Sequence, residues 1–141
     1  MKNDEEIDFL IRKKMIEIQK KAAIESRRRS MPIGVLEVNS KEFRNYLTRY
    51  RIVVADFWAE WCIPCRIISP IMERLARRYS GSAVFLKVNV DENHELAVEH
   101  GILSIPTVIV FVNGKEYERF IGAFPGIEKK LSITIEKLIN Q

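Results

Sequence analysis

The chain has 141 residues, of which 47% are apolar, and it carries a net charge of +4 because 23 lysines and arginines exceed 19 aspartates and glutamates. This length is enough for one hydrophobic core that needs no metal or disulfide to stabilise it. The small net charge gives no reason to expect a nucleic-acid partner, and we find no apolar run typical of a secretory signal or a membrane span. We therefore expect a globular, cytoplasmic protein.

The first 29 residues predict an amphipathic helix of about six turns. Apolar residues recur at helical intervals at Ile7, Ile11, Ile18 and Ala22, and charged residues occupy most of the remaining positions. Such a helix either packs on its own domain, frays in solution, or offers residues 5–25 as a docking face for a partner or for a second copy of the chain.

A linker follows this helix. Three successive arginines at residues 27–29 suit the carbonyl end of a helix, and Pro32 and Gly34 then interrupt the helical pattern. The sequence thus predicts an extension over residues 1–33 and a separate domain over residues 34–141.

From residue 35 onward, strands and helices alternate, which predicts right-handed crossovers and parallel strands covered by helices on both faces. A hairpin then joins two antiparallel strands through Asn113 and Gly114, a strong turn signal. We therefore predict an α/β fold with a mixed five-stranded sheet. The predicted strands are 35–38, 52–58, 83–90, 107–112 and 115–121, and the predicted helices are 41–50, 62–79, 92–100 and 127–140.

Both cysteines, Cys62 and Cys65, fall where the apolar strand 52–58 gives way to a helical pattern. The first turn of a helix carries unpaired N–H groups and a partial positive charge, which stabilise a thiolate, the attacking form of cysteine, at Cys62. Pro64 suits this turn because it needs no N–H partner. Cys65 lies one turn deeper, so it should be more buried and can resolve a mixed disulfide on Cys62.

A metal site is not expected from the same cysteines. Together with His94 and His100 they are spaced Cys-x2-Cys-x28-His-x5-His, whereas zinc fingers place about 12 to 15 residues between the two pairs. We predict that both histidines lie on a surface helix.

The cysteine segment Asp56-Phe-Trp-Ala-Glu-Trp-Cys-Ile-Pro-Cys-Arg66, followed by Pro70, resembles the active-site segment of the thioredoxins. The resemblance covers about residues 34–141. Four further segments follow in the family's order: Lys87-Val-Asn-Val-Asp-Glu92, Gly101-Ile-Leu-Ser-Ile-Pro-Thr107, Val112-Asn-Gly114 and Ile121-Gly122.

This resemblance implies a thioredoxin-like three-layer fold and a protein-disulfide reductase that serves electron transport and cell redox homeostasis. Cys62 would attack and Cys65 would resolve, with no cofactor other than their redox-active disulfide. The implied partners are disulfide-containing proteins and a thioredoxin reductase, and neither nucleic acid nor membrane is among them.

Asp56 falls in the middle of the apolar strand, where a carboxylate is costly unless its pKa rises or it finds a partner. It could instead be exposed at an irregular point of the strand. The resemblance places it beneath Cys65, as the base that takes the proton of that thiol, directly or through a water. The resemblance also points Lys87 toward Asp56, although its long side chain could reach solvent instead.

The resemblance further implies a cis bond between Ile105 and Pro106, beside the cysteines. The backbone of Ile105 could then pair with an extended substrate as one more strand. Ordinary core packing is the alternative for the apolar members of this surface. The predicted substrate-binding residues are Trp61, Ile63, Pro64, Ile105, Pro106, Gly122 and Ala123.

Ile63 and Arg66 differ from the commonest thioredoxin pattern, which has glycine and lysine at these positions. A β-branched residue between the cysteines stiffens the loop, so the reduction potential and partner preference stay open. Two alternatives to the reductase follow: a protein disulfide oxidase or isomerase on the same fold, and a redox adaptor that docks a partner through its N-terminal helix.

Overall fold

A computed structural model of the chain describes residues 3–141, apart from the side chains of residues 27–29. The chain divides into two compact units, Met1–Met31 and Pro32–Gln141. In the first unit, α1 (Asp4–Ser30) is a continuous helix of 27 residues, which confirms the predicted N-terminal helix. Asn3 caps it, because its side-chain oxygen accepts a hydrogen bond from the Glu6 N–H at 2.8 Å.

The apolar residues of α1 extend beyond the predicted face. At about 100° per residue, the face formed by Ile7, Ile11, Met15 and Ile18 spans a sector of about 80°. Phe9 and Ile16 project from the opposite side, and both are exposed. The helix therefore has a main apolar face, but exposed apolar residues also lie on its other sides, among them Leu10 and Ile24.

The second unit contains a five-stranded sheet with the strand order β1-β3-β2-β4-β5. Strands β1 and β2 pair with β3 in parallel, whereas β4 is antiparallel to both β2 and β5. The predicted mixed sheet is thus confirmed. The elements are β1 (Val35–Glu37), α2 (Ser40–Arg49), β2 (Ile52–Trp58), α3 (Cys65–Arg78), β3 (Val84–Asn89), α4 (His94–Glu99), β4 (Thr107–Val112), β5 (Lys115–Ile121) and α5 (Ile127–Ile139).

Hydrophobic side chains cover both faces of this sheet. Leu75 of α3 and Leu131 of α5 belong to one buried cluster with Val54, Phe85 and Val110 from the strands. Because α3 is anchored to the sheet by this cluster, its first residue is held at the end of β2.

An aromatic cluster lies around α2. Phe43 makes edge-to-face contacts with Phe57 and Phe111, at centroid distances of 6.0 and 5.6 Å. The His100 ring packs 5.3 Å from Phe43, and its Nδ1 lies 3.0 Å from the Leu96 carbonyl oxygen. His94 is exposed as predicted, but the prediction of a surface position for His100 is wrong because these rings half-bury it.

Within residues 3–141, no helix combines the length and the hydropathy that a membrane crossing requires.

Candidate active site

Cys62 and Cys65 form a disulfide directly after β2, with their Cα atoms 5.3 Å apart. The helix α3 begins at Cys65, so the prediction that it begins at Cys62 is wrong by one turn. Pro64 is the N-cap, and Cys62 lies in a tight turn that its own N–H closes on the Ala59 carbonyl at 3.2 Å. The Cys65 N–H nevertheless donates to the Cys62 Sγ at 3.2 Å, so this sulfur lies at the start of the helix.

The two cysteines are equally buried, each 4% exposed, and the predicted difference in their burial is not seen in the disulfide form. Both sulfurs belong to one small cluster with Ala59, against which Trp58 and Ile105 pack. Burial therefore does not distinguish an attacking from a resolving cysteine here. The hydrogen bond from the Cys65 N–H does distinguish them, because it reaches only the Cys62 sulfur.

Asp56 lies inside β2 and is only 1% exposed, which confirms its predicted burial. Neither carboxyl oxygen has a hydrogen-bond partner among the described residues. Burial raises the pKa of Asp56 from 3.8 to about 7, and the charge of Lys87 opposes this increase. Asp56 can therefore accept or release a proton near neutral pH.

Lys87 lies directly opposite Asp56 in the pairing of β2 with β3. Its Nζ is 4.2 Å from the centroid of the Trp58 ring, and the side chain is half-buried. A cation over an aromatic face is attracted to it, so Trp58 holds the lysine charge close to β2. The Lys87 side chain therefore lies over the Trp58 ring and does not extend away from the sheet into solvent.

A cavity of about 240 Å³ is lined by both Asp56 and Cys65. Its volume accommodates several water molecules, each of which occupies about 30 Å³ in the liquid. Glu60 and Ser69 also line it, and sequence reasoning missed both. The signal was present for Ser69, which follows Cys65 by four residues and so shares its helix face.

The predicted substrate-binding residues next to the disulfide are exposed. Trp61, Ile63 and Pro64 all lie on the surface. The Trp61 Nε1 donates a hydrogen bond to the Asp91 Oδ2 at 2.9 Å, which fixes the orientation of the indole. One large apolar side chain is therefore exposed on each side of Cys62 in the sequence.

The Ile105–Pro106 bond is cis, as the resemblance implied. Ile105 is half-buried against the cysteine cluster, whereas Pro106 is buried and its carbonyl accepts the Gly122 N–H at 2.8 Å. Ala123 packs against the main core and lines a different groove, next to Ile67. The structure therefore brings Ile105 to the disulfide and places Ala123 in a separate depression.

A groove of about 430 Å³ runs between Trp61, Ile105 and α4. Val98 and Leu103 line it and are exposed, Leu103 by 98%. The sequence analysis missed both residues. Leu103 could have been noticed as an apolar residue in a loop, outside any periodic pattern.

A dithiol pair at a strand-to-helix junction, above a buried carboxyl group and beside an apolar groove, defines a thiol-disulfide oxidoreductase. The sequence model of the Thioredoxin family matches residues 34–137. The chain therefore belongs to the thioredoxin family, and it is a dithiol oxidoreductase of that type.

Individual relatives agree with this assignment. The chloroplastic M-type thioredoxin of Chlamydomonas reinhardtii is 42% identical over 104 residues, which cover 73% of this chain and 73% of the relative. The thioredoxin of Porphyra purpurea is 42% identical over 109 residues, which cover 77% of this chain and 100% of the relative.

Solved structures confirm the thioredoxin-like fold. A mutant thioredoxin from Halobacterium salinarum superimposes with a TM-score of 0.70 and 33% identity over 77% of this chain and 93% of its own. Plasmodium falciparum thioredoxin gives a TM-score of 0.64 and 36% identity over 72% and 96%. Members of the family are protein-disulfide oxidoreductases that act on disulfide-containing proteins and are served by a thioredoxin reductase.

Proposed function

We propose that Cys62 is the attacking cysteine of this oxidoreductase and Cys65 the resolving one, in the direction of protein-disulfide reduction. The hydrogen bond from the Cys65 N–H to the Cys62 Sγ carries the proposal. A donor at the positive end of a helix stabilises negative charge on the sulfur that it reaches. In the reduced protein, the thiolate therefore forms preferentially at Cys62.

The reaction proceeds in two exchanges. The Cys62 thiolate attacks one sulfur of the substrate disulfide, and the other substrate sulfur leaves as a thiolate that takes up a proton. Cys65 then gives its proton to Asp56 and attacks the Cys62 Sγ. The Cys62–Cys65 disulfide closes, and the second substrate sulfur leaves as a thiolate that takes up a proton while Asp56 releases one. The substrate has then gained two electrons and two protons.

Asp56 acts as the base in the second exchange, through water in the cavity that it shares with Cys65. Its pKa of about 7 suits this role because proton transfer is most effective when the pKa of the base lies near the working pH. Lys87 keeps that pKa from rising further. The Cys62–Cys65 pair is the sole redox group of this proposal, and no cofactor takes part.

The substrate docks on the apolar surface around the disulfide. Trp61 and Ile63 supply its exposed part, and an extended substrate segment pairs with the backbone at Ile105. Pro64, Pro106 and Gly122 stay predicted members of this surface, whereas Ala123 lines the separate depression next to Ile67.

We also infer an organisation and a location. Residues 34–141 form the redox domain and residues 1–33 an extension with a separate role. A thioredoxin reductase returns the electrons. The cytoplasm is the predicted compartment, because the only two cysteines form the redox pair rather than a structural bridge.

A reduction assay tests the proposed direction. With dithiothreitol as electron donor, the protein should accelerate the reduction of insulin, and at equilibrium with glutathione its disulfide should persist until the glutathione pool is strongly reduced. A pair that instead oxidises glutathione readily would contradict the reductase and favour the oxidase or isomerase.

The exposed Leu103 offers a test of the docking groove. Leu103→Glu should raise the KM for insulin by about tenfold and leave kcat nearly unchanged, because a charge replaces an apolar contact that is made before and during the reaction. Ile133→Glu is the matched control, since Ile133 is an exposed isoleucine on α5 that does not line the groove. Equal KM values for the two variants would exclude this groove from substrate docking.

A further inference from the structure

The main apolar face of α1 has no packing partner within the described part of its own unit. It consists of Ile7, Ile11, Met15, Ile18 and Ala22, which are all exposed, the four large side chains by 43% to 57%. Their spacings of four, four, three and four residues keep them on one side of the helix, within a sector of about 80°. The main apolar face extends over about 22 Å of a helix that is about 40 Å long. A second helix of similar length would fit along it.

The charges of α1 are divided between its two ends. Residues 4–8 contain four carboxylates and no cation, whereas residues 9–30 contain eight cations and two carboxylates. The backbone dipole of α1, as in any helix, is positive at the N-terminal end and negative at the C-terminal end. A copy that runs in the opposite direction would place the acidic start of each helix beside the basic end of the other, so the two copies are complementary in charge.

We propose that α1 pairs with α1 of a second copy of the chain, in antiparallel orientation, and that the protein is a dimer through this contact. The two-fold axis then passes close to Met15. Ile7 packs against the partner's Ala22, and Ile11 packs against the partner's Ile18. A parallel pair would bring the two acidic ends together and the two basic ends together, and it would align the two dipoles unfavourably.

The charged residues beside the main apolar face support the antiparallel orientation. Lys14 and Glu17 lie on the same flank, and within one helix they form an exposed ion pair of 3.9 Å. In the antiparallel pair, Lys14 of each copy lies next to Glu17 of the other, so that the four charges alternate in sign. In the parallel pair, Lys14 of one copy instead lies opposite Arg12 of the other, and like charges meet.

Sedimentation equilibrium of the full chain tests the dimer. The unmodified protein should sediment as a dimer, and Ile18→Glu should weaken its association at least about tenfold, because the substitution places a carboxylate in the main apolar face. Ile16→Glu is the matched control on the opposite side of α1 and should leave the dimer intact. Circular dichroism should show equal helix content for the two variants.

A monomeric full chain would overturn the proposal, and so would equal weakening by the two substitutions. A monomer that instead co-sediments with anionic vesicles or with duplex DNA would identify the basic part of α1 as the binding surface for those ligands and would also overturn it.

Cysteine cross-linking tests the orientation, in a chain that carries Cys62→Ser and Cys65→Ser. A mixture of Ile7→Cys and Ala22→Cys chains should form a disulfide between the two different chains on oxidation. Ile7→Cys alone should not cross-link to itself. Self-cross-linking of Ile7→Cys would show a parallel pair and overturn the antiparallel one. These results do not depend on disulfide reductase activity, so the dimer and the proposed function can fail separately.

Discussion

Cys62→Ser should lower the turnover of insulin reduction by at least about 10³-fold. A serine hydroxyl has nearly the same volume but does not ionise near neutral pH, so the hydrogen bond from the Cys65 N–H has no thiolate to stabilise. The remaining thiol at Cys65 is 4% exposed in the disulfide form and lies inside the first turn of α3. The measurement is the initial rate of insulin reduction with dithiothreitol, at equal concentrations of variant and unmodified protein.

Cys65→Ser is the matched substitution three residues away. It keeps the attacking thiol and removes the resolving one, so the protein should stop at the mixed disulfide with its substrate. Mass spectrometry under non-reducing conditions should therefore find the substrate covalently attached to Cys65→Ser and not to Cys62→Ser. The reverse distribution would assign the attacking role to Cys65 and contradict the mechanism.

The predictions that were confirmed depended on strong local signals. The bounds of β2 follow from a run of apolar residues that begins with three β-branched ones. The β4–β5 hairpin follows from Asn113 and Gly114, with Asn113 at a φ of 51°. The burial of Asp56 followed from its place inside β2. Each of these signals lies within a few residues of the element that it specifies.

The errors concern features that distant residues determine. The start of α3 was predicted one turn too early, because apolar periodicity does not reveal the turn closed by Cys62 and Ala59. His100 was predicted on the surface. The rings of Phe43 and Phe111 that pack against it come from other elements, so the sequence around His100 does not reveal them. Apolar periodicity therefore predicts which side of a helix is apolar, but it does not show which residues of other elements pack against that side.

The candidate site divides in the same way. Cys62, Cys65 and Asp56 could be identified from one continuous segment because their chemistry is unusual for their positions. Leu103 and Ser69 carry only weak sequence signals, a lone apolar residue in a loop and a position one turn after Cys65, and their roles follow from the groove and the cavity that other elements complete. Residue type therefore predicted the reacting groups, and the three-dimensional structure was needed for the residues that surround them.

Asp56→Asn should raise the free energy of unfolding above about pH 8 by up to about 4 kcal/mol. The carboxyl group has a pKa of about 7 in the folded protein, against 3.8 for the exposed group. Below about pH 3 it is neutral in both states and has no effect on stability. As the pH rises from about 4 to about 7, the unfolded chain releases this proton and the folded one retains it, so the unmodified protein loses stability until ionisation is complete in both states.

Asparagine has the same shape and stays neutral at every pH, so the variant should not show this loss. The measurement is the denaturant midpoint of the oxidised protein between about pH 4 and pH 9, where the difference between variant and unmodified protein should grow with pH. Glu92→Gln, which changes an exposed carboxyl group in the turn after β3, is the control and should show no such growth. A difference that is constant with pH would mean that Asp56 does not titrate near neutrality and could not serve as the base. If this difference grows with pH and the second exchange is slower in Asp56→Asn than in the unmodified protein, two conclusions follow. The buried carboxyl group lowers the stability of the fold, and it also serves proton transfer to and from Cys65.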